Sequence, residues 1–174
     1  MKLALTVLGH NPSTLISDIL PAIRDSRCSI LELRSSRLVQ AYGAYLLIQG
    51  NWNQIAKFES ALEAIQKRTE IKIHAIRPEQ KEKGRDYVPY SLETISLDRD
   101  NIIESLTAFL CEREIEIEEI TGSAYQAPYI QTSVFSTRFI ILIPPQLRLL
   151  ALREEFLDFC DQLNIDAILE PIKR

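Results

Sequence analysis

Long apolar runs are missing from this chain of 174 residues. No stretch approaches the roughly 18 apolar residues of a bilayer-crossing helix, so no membrane role is expected. The opening run from Met1 to Leu8 is apolar but breaks at Gly9-His10-Asn11-Pro12 without a small-residue cleavage site. It reads as a first strand rather than a leader. Glycine is scarce, at five residues, which leaves little for a phosphate-cradling loop. Neither a P-loop nor a G-x-S-x-G nucleophile motif is present.

Histidine is limited to His10 and His74, and the three cysteines, Cys28, Cys111 and Cys160, lie far apart with no C-x-x-C pair. That spacing speaks against a zinc site, and neither a metal nor a cofactor is expected. Scattered, odd-numbered cysteines suit reduced, buried core thiols of a cytoplasmic protein. Positive charge is not in excess either: 20 Lys and Arg stand against 24 Asp and Glu, for a net charge of −4. A broad grip on a nucleic-acid backbone needs clustered cations, so direct nucleic-acid binding is not expected.

What the chain does contain is periodicity. Residues 2–9 form a compact apolar run, and Leu15, Ile16, Ile19, Leu20 and Ile23 then mark one helical face, with Pro21 predicting a kink or a short helix. Residues 29–38 and 42–50 read as two strands joined by a turn near Gln40-Ala41-Tyr42-Gly43. Trp52, Ile55, Phe58, Leu62 and Ile65 predict a second helix, and Ile71, Ile73 and Ala75 alternate with Lys72 and His74 as a half-buried strand. On that reading His74 is an exposed sheet histidine.

The pattern then repeats. A strand over 89–97 precedes a helix marked by Ile102, Ile103, Leu106, Phe109 and Leu110. A glutamate-rich strand follows, in which Glu112, Glu114, Glu116, Glu118 and Glu119 read as a wet face rather than as an acid/base or metal cluster. Val134 to Ile143 forms a strand closed by Pro144-Pro145, Leu149 to Leu163 a helix and Ile165 to Leu169 a final strand. The middle hairpin grows in this half into a long loop, Thr121 to Thr132, whose Tyr125 and Tyr129 are candidates for partner contact.

Two copies of one six-element pattern predict domains at 1–78 and 88–174, with a charged linker at 79–87. Strand–helix–strand–strand–helix–strand is the ferredoxin-like α+β arrangement, an antiparallel four-stranded sheet with both helices on one face. The other face stays open. Residues such as Ile76, Leu46 and Ile48 are not expected all to be buried under two helices. Cover is expected from the other half or from a second chain, as in a homodimer. Neither third strand carries the aromatic and basic motif of an RNA-recognition domain. The loop after the first strand also lacks the glycine-cradled arginine of an acylphosphatase-like enzyme.

The loops between first strand and first helix carry a resemblance. Asp98-Arg99-Asp100-Asn101-Ile102 retains the Asp-Arg and the aliphatic residue of the Asp-Arg-Pro-Gly-aliphatic loop of ACT domains, and His10-Asn11-Pro12-Ser13 retains the proline. Cys28-Ser29-Ile30 at the second strand, the long second hairpin and the segment Leu152 to Cys160 extend the likeness along the chain. The chain resembles tandem ACT-domain proteins, and among them the glycine cleavage system transcriptional repressor family. That resemblance implies a non-enzymatic, cytoplasmic repressor that contacts a separate transcription activator and senses glycine or another small amino acid.

His10, Asn11, Pro12, Ser13, Asp98, Arg99, Asp100 and Asn101 would line the effector pockets. Arg99 would pair with a carboxylate and Asp98 would accept from an amino group. Asp98 and Asn101 read equally well as helix caps. Ser13 and Asn101 stand where the family has glycine, and a side chain there crowds a ligand carboxylate. The alternative reading is a stand-alone ACT-type module that regulates a metabolic enzyme.

Overall fold

The computed structural model of the chain describes residues 1–10, 13–79, 87–97, 101–127 and 132–172. The chain divides into two compact units, Met1–Glu82 and Lys83–Arg174. Most of the linker expected at 79–87 lies outside the described residues.

The first unit runs β1 (Lys2–Gly9), a π-helical turn (Leu15–Ile19), α1 (Leu20–Asp25), β2 (Ser29–Leu38), β3 (Ala41–Gln49), α2 (Trp52–Arg68) and β4 (Lys72–Ile76). Its sheet has the order β2-β3-β1-β4. Strict alternation along the inner strands decides which face is covered. Leu3, Leu5 and Val7 of β1 and Leu46 and Ile48 of β3 are buried against Ile19, Ile23, Ile55, Phe58 and Leu62 of the helical layer. Burying each such side chain is worth about 1.5–3 kcal/mol.

Pro21 is accommodated without breaking the helix. The turn before it widens to a π-helix, the Leu20 amide donates to the Leu15 carbonyl, and Pro21 falls in the first turn of α1, where no amide is required of it. The second helix starts on a closed capping box: Asn51 Oδ1 accepts from the Gln54 amide at 2.9 Å and Gln54 Oε1 from the Asn51 amide at 2.7 Å.

The second unit repeats the plan with β5 (Val88–Leu97), α3 (Ile102–Cys111), β6 (Glu116–Gln126), β7 (Ser133–Ile143), α4 (Leu149–Gln162) and β8 (Asp166–Pro171), in sheet order β6-β7-β5-β8. Phe139 and Ile141 of β7 and Leu92 of β5 pack on Leu106, Phe109 and Leu110 of α3 and Phe156 and Cys160 of α4. Phe109 meets Phe156 edge-on, with ring centroids 5.4 Å apart.

The duplication is visible in irregularities as well as in order. The β2–β3 ladder shifts register between Ile30 and Glu32, and β6–β7 shifts at the corresponding place, between Ile117 and Glu119. Arg27 and Glu114, each just past a helix, share a left-handed φ of 56°. The next amide reaches back five residues in both, from Cys28 to the Ile23 carbonyl and from Ile115 to that of Leu110, each at 3.1 Å.

Several expectations need correction. The first hairpin turns earlier than Gln40 to Gly43, because Leu38 pairs with Ala41 and leaves a two-residue turn at Val39-Gln40. Much of the expected long loop is strand: β6 continues through Thr121 to Gln126, because Ser133 to Arg138 of β7 satisfy its backbone. As expected, Ile76, Leu46 and Ile48 are not all buried: Leu46 and Ile48 lie under the helices and Ile76 stays on the open face. Trp52, in the first turn of α2, and Leu149 and Leu150, at the start of α4, are exposed, since the helix ends overhang the core. Glu112 caps α3 and Glu114 sits in the following turn, so only Glu116 onward belongs to the strand. Of the thiols expected to be buried, Cys160 is buried, Cys28 is half-buried and Cys111, the last residue of α3, is exposed.

Candidate functional site

In the first unit the loop into the helix is described at His10 and Ser13, while Asn11 and Pro12 lie outside the described residues. His10 is exposed, and its Nδ1 lies 3.4 Å from the Gln40 carbonyl oxygen at the first hairpin. The Ser13 carbonyl accepts from Ser17 Oγ at 2.7 Å, which binds the loop end to the π-helical turn.

The second unit is described there only at Asn101, with Asp98, Arg99 and Asp100 outside the described residues. Asn101 is the N-cap of α3 and has a left-handed φ of 68°. Asparagine and glycine tolerate that conformation best, which accounts for Asn101 at a place where the ACT pattern has glycine. Its backbone carbonyl accepts from the Ser105 amide at 2.9 Å, yet its side chain makes no cap hydrogen bond. The capping expected of Asn101 is therefore performed by its backbone alone.

Beneath these loops the two units differ chemically. In the first, the last residues on the core side of β1 are Val7 and Gly9, and Ala44 lies opposite Val7. In the second, the corresponding residues are Thr94 and Ser96, with Thr137 opposite Thr94. Thr94 and Thr137 are each 1% exposed, and their hydroxyl oxygens lie 2.6 Å apart, so one donates to the other. Ser96 Oγ is buried with no hydrogen-bond partner among the described residues. Sequence reasoning missed these hydroxyls. The available signal was the switch from Leu92 to Thr94 and Ser96 along one face of β5.

Each sheet also leaves a face without helices. On the first, Ala4, Thr6, Tyr45, Leu47, His74 and Ile76 line an open, mostly apolar depression of about 370 Å³. His74 is exposed there, as expected of a sheet histidine. On the second, the corresponding depression of about 340 Å³ is charged, with Glu93, Arg138 and Glu170 beside Ser91 and Ile168. Arg138 Nε donates to Ser91 Oγ at 3.3 Å and lies 3.4 Å from Glu93 Oε1. Tyr125 projects from β6 opposite Val134 and is exposed, whereas Tyr129 lies outside the described residues.

Burial pushes the Cys160 thiol up to about 12, with the neighbouring Asp161 charge adding to the effect, and burial also raises that of Cys28. Among the described residues, no three His, Cys, Asp or Glu side chains gather as they would around a metal ion, and no helix is long and apolar enough to cross a membrane.

The family model of the ACT domain matches residues 2–75. No curated protein matches the chain. Among solved structures, an unknown protein from Galdieria sulphuraria superposes with a TM-score of 0.82 at 19% identity, covering 99% of this chain and 98% of that one. A candidate glycine cleavage system transcriptional repressor superposes with a TM-score of 0.74, also at 19% identity and with 99% and 98% coverage. At that identity the likeness establishes the fold. Residues 2–75 are an ACT domain, and the whole chain has the fold of two ferredoxin-like ACT domains in tandem.

Proposed function

We propose that this chain is a non-enzymatic regulator, an accessory repressor of glycine cleavage genes that acts by contact with a transcription activator and responds to a small amino acid. The observation that carries the reading is the tandem fold itself. Its whole length superposes on a candidate glycine cleavage repressor, so the likeness extends beyond one widespread module. Two features of the molecule support it. Each unit presents a helix-free sheet face, and such a face on a small domain is a surface for another molecule. In each unit a helix also follows a central strand in the chain, and the first-turn amides of a helix can receive a carboxylate.

The effector would act by population shift, favouring the arrangement that binds the activator over the one that does not. Candidate effector residues are His10, Asn11, Pro12 and Ser13 in one loop and Asp98, Arg99, Asp100 and Asn101 in the other. Tyr125 is the candidate partner contact. Affinity capture from native cells, read by mass spectrometry, tests the proposal. A transcription activator should be recovered with the wild-type chain and lost with Tyr125→Ala, an exposed substitution that leaves the core intact. Recovery of a metabolic enzyme in its place would favour a module that regulates that enzyme.

A further inference from the structure

The helix-free faces of the two sheets correspond row by row. Strand register sets three rows across each, running through Ala4, Thr6 and Leu8 of β1 and through Ser91, Glu93 and Ile95 of β5. Leu8, Tyr45 and Ile76 are exposed on the first face, and Ile95 and Ile168 on the second. Large apolar groups gathered on the open sheet face of a small domain mark a surface that something covers.

The two faces carry opposite charge. On the first, Glu32 and Arg34 cancel in a 2.9 Å ion pair, and Lys2 and Lys72 set the sign. On the second, Glu93 and Arg138 cancel at 3.4 Å, and Asp166 and Glu170 set it, with Glu119 of the same sign. Packing like on like would bring lysines against lysines or carboxylates against carboxylates, which opposes association. First against second matches the apolar centres and the charges together.

The area of each face favours two such contacts over one. Four strands about 4.8 Å apart and three rows about 6.7 Å apart make a face of about 400 Å². One contact would bury about 800 Å² in total, no more than crystal packing does, whereas two bury about 1,600 Å², the size of a stable interface.

We propose that two copies of this chain pair reciprocally, the open face of the first unit in each covering the open face of the second unit in the other. A two-fold axis makes the contact twice and closes the pair. Tyr125 stands opposite Val134, one row beyond the shared rows, and is left for a further partner. The pairing does not depend on the regulatory role proposed above.

Analytical ultracentrifugation of the full chain tests this, with far-UV circular dichroism as the check on folding. The wild-type chain of 19.9 kDa should sediment as a dimer. The double variant Lys2→Glu/Lys72→Glu makes both faces acidic, and Asp166→Lys/Glu170→Lys makes both basic. Each alone should raise the dimer dissociation constant by about tenfold or more. Mixed together, the two variants should pair again, because every acidic face then meets a basic one. A monomeric wild type, an assembly larger than a dimer, or either variant pairing with itself as tightly as wild type would overturn the proposal. So would folded variants that stay apart when mixed.

Discussion

Thr94 and Thr137 face each other across β5 and β7 with their hydroxyl oxygens 2.6 Å apart, both buried, where the first unit sets Val7 against Ala44. A buried pair of this kind adds little net stability while intact and is costly to halve. Thr94→Val or Thr137→Val alone orphans the other hydroxyl and should destabilise the second unit by about 1–3 kcal/mol. The double variant should return close to wild type, because two matched apolar groups then replace a matched polar pair. Urea denaturation of the four proteins gives the coupling directly.

Gly9 and Gly43 provide a steric test within one sheet. Neither has a left-handed φ, so only space separates them. A methyl group on Gly9 would stand 2.8 Å from Cγ2 of buried Ile71, whereas one on Gly43 meets nothing within 4 Å. Gly9→Ala should cost about 1–3 kcal/mol through overpacking. Gly43→Ala should be neutral or gain up to about 1 kcal/mol by stiffening the unfolded chain. Melting curves of the two variants decide the matter.

Arg27 and Glu114 hold left-handed conformations at the ends of α1 and α3 without being glycine. The strain of that conformation is roughly 1–2 kcal/mol, and glycine returns part of the gain as entropy, leaving a net of about 0.5–1 kcal/mol. Arg27→Gly and Glu114→Gly should each raise the melting temperature of their own unit by about 2–6 °C. A fall in either would show that the native side chain contributes more than its backbone strain costs.

The cysteines should react in order of exposure. Cys111 is exposed, Cys28 is half-buried with its thiol pKa raised by burial, and Cys160 is buried with a pKa of about 12. Iodoacetamide at pH 8 should label Cys111 first and Cys160 only on unfolding, as followed by mass spectrometry. The sign of the linkage follows from the raised value. The folded state keeps the Cys160 proton above pH 9, where the unfolded thiol loses it. The stability Cys160 contributes is therefore complete below about pH 9 and declines as pH rises towards about 12.

The sequence made the element order legible because buried positions recur at fixed spacing: Ile55, Phe58, Leu62 and Ile65 give α2, and Ile115 before Glu116 marks the entry to β6. Repetition did the rest, since two matching sets of elements constrain each other. Turn placement was less legible. Val39 in a left-handed turn carries no local signal, and Gly122-Ser123-Ala124 reads as loop until β7 pairs with it. Along β3, a run of apolar residues hid which alternate set faced the helices. Of the site, the loop residues stood out by their place between strand and helix. Ser96, Thr94 and Thr137 did not, because small hydroxyl residues on a strand look like surface until the register shows them facing the core.

The most direct test of the regulatory account is the level of glycine cleavage transcripts in cells with and without this chain, grown without added glycine. The account predicts that transcripts rise when the chain is removed and fall again when it is restored from a plasmid. Transcript levels indifferent to its presence would contradict it.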